Sequence, residues 1–250
     1  MPPLRARGGG RSVRLAELAA ALARLDAFPA PAILRLDASQ PLTGRAVVLP
    51  AAFNPPTAAH IALLRVAMGA AGAGAAVALL STRNADKPLV GAPLHHRAGM
   101  LLALTAGQPN LAAAATNAAL LAEQGTALRR AYPDAAVDFV VGYDTLVRIF
   151  EPRYYERTDM TAVLDEFFAA HRLLAAERGP GTREAIEEIL AGPGRRWRHR
   201  VLVLELPAWV SAVSSTEVRI RRARGFPTAG VPPAVARYIM RHRLYRDAFK

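Results

Sequence analysis

The sequence predicts an α/β protein built on a doubly wound parallel sheet. Three observations predict it. Short apolar runs alternate with helical stretches from Arg45 onward, the pattern of parallel strands with covering helices. The length of 250 residues suits one large domain. No internal repeat or low-complexity linker divides the chain after its first residues.

Taken in order, residues 1–12 with Gly8, Gly9 and Gly10 read as a disordered arm. Residues 13–27 read as an amphipathic helix with Leu15, Leu18, Ala19, Leu22 and Leu25 on one stripe. Neither carries evident chemistry, so 1–44 is read as an N-terminal arm and helix, and 45–250 as the domain. Buried strands are expected at 47–49, 76–80, 111–115, 137–141, 173–176 and 201–206. Helices are expected near 60–71, 94–106, 117–131, 160–170, 182–191, 215–224 and 233–242.

Composition narrows the chemistry. Hydrophobic residues make up 52% but lean on alanine, and Arg65, Asn110, Thr116 and Glu123 interrupt the apolar stretches before a membrane-spanning length is reached. Arg5, Arg7, Arg11 and Arg14 lead into an amphipathic pattern rather than a secretory signal. The expectation is a soluble, cytoplasmic protein with no membrane partner. The absence of cysteine excludes disulfides, thiolate catalysis and cysteine-ligated metals. The net charge of +12 sits at the ends: residues 195–250 hold 13 Lys+Arg against 3 Asp+Glu, and residues 46–194 hold 12 against 14. Such asymmetry fits a polyphosphate or a nucleic-acid backbone, and equally a bias towards arginine, with 30 Arg to 2 Lys.

Two segments carry the chemistry. The first, Ala51-Ala52-Phe53-Asn54-Pro55-Pro56-Thr57-Ala58-Ala59-His60, places a proline-stiffened turn between a strand and a helix start. Thr57 can cap that helix, and His60 on its first turn would face a phosphate bound there. The second, Val213-Ser214-Ser215-Thr216-Glu217-Val218-Arg219, opens a helix with hydroxyls. Free N–H groups, hydroxyls and Arg219 make a phosphate site, while Ser214 with Glu217 also fits a capping box. The scattered histidines lack metal-ligand spacing, and no protein-built metal site is expected.

Together these segments resemble the paired signatures of the nucleotidyltransferase superfamily, and within it those of the nicotinamide and nicotinate mononucleotide adenylyltransferases. Phe53, Asn54, Pro55, Thr57 and His60 match a GSFNPxxxGH stretch, and Ser214, Ser215, Thr216 and Arg219 match ISSTxIR. Gly142-Tyr143-Asp144-Thr145-Leu146 looks like the family's GxDxL element. The likeness spans about residues 45–245. Ala59 and Pro50 depart from the pattern, standing where the family has or often has glycine; the Ala59 methyl either is accommodated by a small shift or narrows the nucleotide pocket.

The resemblance implies a Rossmann-like nucleotidyltransferase that moves AMP from ATP to a mononucleotide and releases pyrophosphate, with Mg²⁺ carried on the ATP phosphates. It puts His60 and Thr57 on the α- and β-phosphates, and Ser215, Thr216 and Arg219 on the β- and γ-phosphates. Ala52, Phe53, Asn54, Lys87, Gly142 and Asp144 complete the nucleotide site, Asp144 on the ribose hydroxyls. Arg97, Phe150 and Tyr154 are the expected substrate contacts, the aromatics by stacking on a pyridine ring. The implied partners are small nucleotides, with homo-oligomerisation left open. Other readings are cytidylyl transfer, phosphopantetheine adenylylation and a weakly active nucleotide binder. A weaker reading is a nucleic-acid-binding protein using Arg195 to Arg200 around Trp197.

Overall fold

The computed structural model describes residues 11–37, 42–83, 90–177, 179 and 181–246, with side chains from residue 15. The elements in chain order are α1 (Arg11–Asp26), β1 (Ile33–Arg35), β2 (Gly44–Ala51), α2 (Ala58–Ala71), β3 (Ala75–Ser81), α3 (Leu94–Thr105), β4 (Leu111–Thr116) and α4 (Leu121–Ala131). They continue with β5 (Ala135–Gly142), α5 (Tyr143–Ile149), α6 (Met160–Ala170), β6 (Arg172–Ala176), α7 (Thr182–Ala191), β7 (Val201–Leu204), α8 (Ala208–Ser211), α9 (Ser215–Ala223) and α10 (Pro233–Arg241). Short 3₁₀ turns lie at Pro152–Tyr155 and Arg195–Arg200.

One sheet runs in the order β1-β4-β3-β2-β5-β6-β7, parallel throughout except for the antiparallel edge pair β1–β4. Successive side chains of a strand face opposite sides. Val47 and Leu49 of β2 therefore join a core with residues of α1, α2, α3 and α10, and Ala46 and Val48 join a second core with α4, α5, α6 and α7. Both faces are covered, which explains why the strands read as continuous apolar runs. Strand order reverses between β2 and β5, and in such sheets the ligand crevice lies at that point, outside the carboxyl ends of the strands.

At the opposite end of these strands, buried Asp138 of β5 bonds Arg45 at the start of β2 (2.8 Å) and Arg172 at the start of β6 (2.5 Å). Burial alone would raise its pKa, but the hydrogen bonds from Arg172 and Arg45 outweigh that and hold it below the usual carboxylate value. The three charges clamp adjacent strands away from the crevice.

Several details differ from the sequence expectation. β1 was not foreseen, and it brings a stretch upstream of residue 45 into the sheet through Ile33↔Thr116 and Arg35↔Ala114. Three residues carry too little alternation to be read as a strand. Helix α4 starts at Leu121 rather than 117, because the Asn117 carboxamide is bound to the Phe28 and Ala30 carbonyls and the Ala32 N–H. Strand β7 stops at Leu204, where its partner β6 ends. Helix α2 ends where foreseen, at Gly72 in the left-handed region (φ 62°).

Candidate active site

The turn after β2 enters α2 through a bent backbone: Phe53 has φ 44°, unusual for a residue with a side chain. Its ring is buried with its centroid 5.1 Å from that of His60, so what Phe53 can offer a ligand is main chain. At the helix start the Thr57 N–H donates to His60 Nδ1 (3.0 Å), and the Thr57 hydroxyl lies 2.7 Å from the same nitrogen. A nitrogen that accepts from an amide carries no proton, so the neutral ring bears its hydrogen on Nε2. Thr57 itself is fully buried. The structure thus places it behind His60, where it orients the imidazole, and corrects the expectation that Thr57 meets phosphate directly.

Asn54 is committed to the protein. Its Oδ1 accepts from the Tyr245 hydroxyl (2.9 Å) and the Ala92 N–H (3.2 Å), and its Nδ2 donates to the Val90 carbonyl (2.6 Å). Gly91, at φ 89°, makes this approach feasible: a Cβ there would lie 2.5 Å from Asn54 Nδ2. Arg97 is 2% exposed and donates to the carbonyls of Ala92 (2.7 Å), Val90 (2.6 Å) and Ala52 (3.3 Å). Burial lowers its pKa from the ordinary arginine value, with Tyr245 opposing and Arg219 adding to the shift. Arg97 therefore braces the turn from beneath rather than contacting substrate as expected. Lys87 lies outside the described residues.

The second segment closes onto the first across more than 150 residues of sequence. At the start of α9, the Ser215 hydroxyl donates to the Pro55 carbonyl (2.8 Å). One arm of the Arg219 guanidinium donates to the Asn54 carbonyl (2.7 Å) and the other to the Thr216 hydroxyl (3.2 Å). Ser214 caps the helix by accepting from the Glu217 N–H (3.1 Å), which leaves the Thr216 hydroxyl outside the cap. The segment before α10 adds Gly230, whose carbonyl accepts from the Ala58 N–H (2.8 Å).

Beside this junction a cleft opens over the carboxyl ends of β2 to β5, lined by Ala52, Ser81, Arg83, Gln124, Arg148 and Tyr154 among others. Two arginines and no carboxylate stand among its described lining residues. A second crevice holds exposed Gly142 and Asp144, and Thr145 lies on both. Gly142 caps α5, leaving Asp144 on its first turn, open to solvent. Tyr154 lines the cleft under the Arg153 guanidinium (4.9 Å to the ring centre). Phe150 does not: it is 4% exposed and stacked on Phe168 and Trp197, so the expectation that it meets a substrate ring is corrected.

The sequence reading missed Arg83, Gln124 and Arg148. Arg83 stood in a polar loop after a strand and Arg148 two residues past the GxDxL element, while Gln124 is a helix residue with no motif around it. The basic 195–200 stretch is absorbed internally, since Arg196 and Trp197 bond Asp165, Arg198 bonds Glu187 and Arg200 bonds the His171 carbonyl. That removes the interleaved aromatic on which the nucleic-acid reading depended.

No protein-family model matches the chain. It is 32% identical over 214 residues to a Symbiobacterium thermophilum protein named "Probable nicotinate-nucleotide adenylyltransferase", across 80% of this chain and 95% of the relative. A Bordetella petrii protein of the same name is 34% identical over 211 residues, covering 80% of this chain and 97% of its own. Among solved structures, Plasmodium falciparum nicotinic acid mononucleotide adenylyltransferase complexed with NaAD superposes with a TM-score of 0.57 at 15% identity, over 81% of this chain and 98% of the other. With that fold, with its two motif segments joined beside the strand-order reversal, and with these relatives, the chain belongs to the nicotinate-nucleotide adenylyltransferase family.

Proposed function

We propose that the protein transfers AMP from ATP to the phosphate of nicotinate mononucleotide, releasing pyrophosphate, and that the residues gathered at the junction of the two segments carry the reaction. The observation that supports this most is the docking of α9 onto the turn after β2, through Ser215 on Pro55 and Arg219 on Asn54. It aims two helix N-termini, α2 and α9, at one place, and such termini attract phosphate oxygens.

In this reading an oxygen of the acceptor phosphate attacks the α-phosphorus in line, the bond to the bridging oxygen of the β-phosphate breaks, and pyrophosphate leaves. No protein nucleophile is required. Catalysis rests on alignment and on neutralising charge that spreads over the phosphoryl oxygens. His60 offers Nε2–H to the α-phosphate, oriented by Thr57. The Thr216 hydroxyl, Arg219 and the free N–H groups at the start of α9, that of Ser215 among them, receive the β- and γ-phosphates, while the Ser215 hydroxyl is spent on the Pro55 carbonyl. Asp144 accepts from the ribose hydroxyls, and the cleft edged by Ala52 and Tyr154 takes the pyridine ring. Asn54 and Arg97 hold the turn in shape. Lys87 is assigned to the triphosphate by motif likeness alone.

Magnesium would be carried on the triphosphate, where it would offset charge on the leaving pyrophosphate. Among the described residues no group of three or more His, Asp or Glu is placed to hold an ion. None of the described helices is long and apolar enough to cross a membrane, and a cytoplasmic setting suits a reaction fed by ATP.

The test is pyrophosphate release from ATP or CTP with nicotinate mononucleotide, nicotinamide mononucleotide, phosphopantetheine or phosphocholine as acceptor. ATP with nicotinate mononucleotide is expected to give the highest kcat/KM. Turnover confined to CTP, or ATP binding without pyrophosphate release, would overturn the reading.

A further inference from the structure

Helix α1 precedes the region of motif likeness, yet its last residue holds an arginine of the cleft. Asp26 accepts through Oδ1 from Arg83 Nε (2.8 Å) and from the Thr82 hydroxyl (3.1 Å), and its main-chain carbonyl accepts from Arg83 Nη2. The helix is anchored by Leu18, Leu22 and Leu25, all buried in the core shared with α3, so Asp26 is delivered from a fixed support. Arg83 follows β3 and lines the cleft together with Arg148, and among the described residues no carboxylate lies on that lining. A guanidinium has five N–H donors in a rigid fork, so Asp26 can steer it with two and leave others for a ligand.

We propose that Asp26 is a positioning residue of the acceptor site: it holds Arg83 at the rim of the cleft, where Arg83 binds an anionic group of the incoming mononucleotide. The inference rests on the adenylyl-transfer reading for the identity of that ligand. The ion pair is half exposed on both sides, and pairs of that kind add little to folding stability. Its value lies in geometry. A flexible arginine spends affinity on being ordered when ligand arrives, and one already held by Asp26 has less order to lose.

Two anions on the acceptor share this chemistry, the 5′-phosphate and the ring carboxylate, and paired acceptors separate them. Asp26→Asn is expected to raise KM for nicotinate mononucleotide about tenfold, the scale of one misplaced charge-assisted hydrogen bond, with kcat and the KM for ATP within about twofold. An equal loss with nicotinamide mononucleotide assigns Arg83 to the phosphate; a loss confined to the nicotinate form assigns it to the carboxylate. In an Arg83→Ala background Asp26→Asn should add nothing, since its effect passes through Arg83. Glu187→Gln, which breaks a comparable surface pair with Arg198, is the control and should leave every constant unchanged. Calorimetric binding of nicotinate mononucleotide without ATP forms a second arm. Asp26-dependent binding in a chain that releases no pyrophosphate would sink the transferase reading alone. Normal turnover with an unchanged acceptor KM in Asp26→Asn, or additive effects in the double variant, would sink this inference alone. A wild-type chain that neither binds nor turns over the mononucleotide would overturn both.

Discussion

His60 can present only one nitrogen to a ligand, because the Thr57 N–H occupies the other. Its contribution should therefore appear in the transition state, where a donor on Nε2 meets growing charge. His60→Ala is expected to cut kcat about 10²-fold or more while leaving ATP affinity within a few-fold, as for loss of one oxyanion-type donor. Stopped assays of pyrophosphate release alongside equilibrium ATP binding check the split. Ala59, one residue earlier, is 7% exposed, its methyl covered by the protein's own atoms rather than standing in the open cleft. Ala59→Gly should thus cost about 0.5–1 kcal/mol of stability and leave turnover at the parent level, read from a melting curve and a rate measured together. A rise in rate would show instead that the methyl does crowd the phosphate turn. At this scale the sequence set Thr57 and His60 three residues apart at one helix start, but gave no sign that Thr57 turns inward to hold His60. Sequence reading failed where burial decides. Nothing in the neighbours of Arg97 or Phe150 reveals that one is sealed under a turn and the other stacked on Phe168 and Trp197. Asp26 and Arg83 stand 57 residues apart, and only the fold makes them partners.

Helix α9 makes a similar point about elements. Its existence and start were legible from Ser214 and Glu217, and its destination was suggested only by likeness to a family motif. The long helices were legible because an apolar stripe repeated over three turns leaves a clear period. The seven residues of α5 and the three of β1 are too short for one. Arg219 ties two elements together, anchoring α9 to the Asn54 carbonyl, and in the proposed reaction it also meets the triphosphate. Arg219→Ala is expected to raise the KM for ATP by at least tenfold, and Arg219→Lys to recover only part, because an ammonium cannot span the Asn54 carbonyl, the Thr216 hydroxyl and a phosphate oxygen as a planar fork does. Initial-rate kinetics of both variants decide it. Full recovery with lysine would reduce the contact to diffuse charge.

Across the whole molecule, acid should act through buried imidazoles. His96, packed beside His95, His242 and Tyr238, is pushed down to about 4, first by burial and then by the two neighbouring histidines. His171 is lowered too, chiefly by burial, with Arg129 adding to the shift and its bond to the Val137 carbonyl opposing it. The unfolded chain takes up these protons near pH 6.5 and the native chain only at lower pH. Protonation therefore favours the unfolded state, and stability present at neutral pH is lost as pH falls from about 6.5 towards 4. Urea midpoints at pH 7, 5.5 and 4.5 should decline in that order, and His96→Gln should flatten the decline. The turn that organises the site has a temporal consequence as well. Its ties come from Val90, Arg97, Arg219, Gly230 and Tyr245, scattered over the rest of the chain. A nascent polypeptide emerging from the ribosome amino end first can settle β2 and β3 early. It gains the last of these ties only after Tyr245 is released, so a chain cut short by premature termination upstream of that residue would leave Asn54 Oδ1 with one donor fewer and the turn less firmly held.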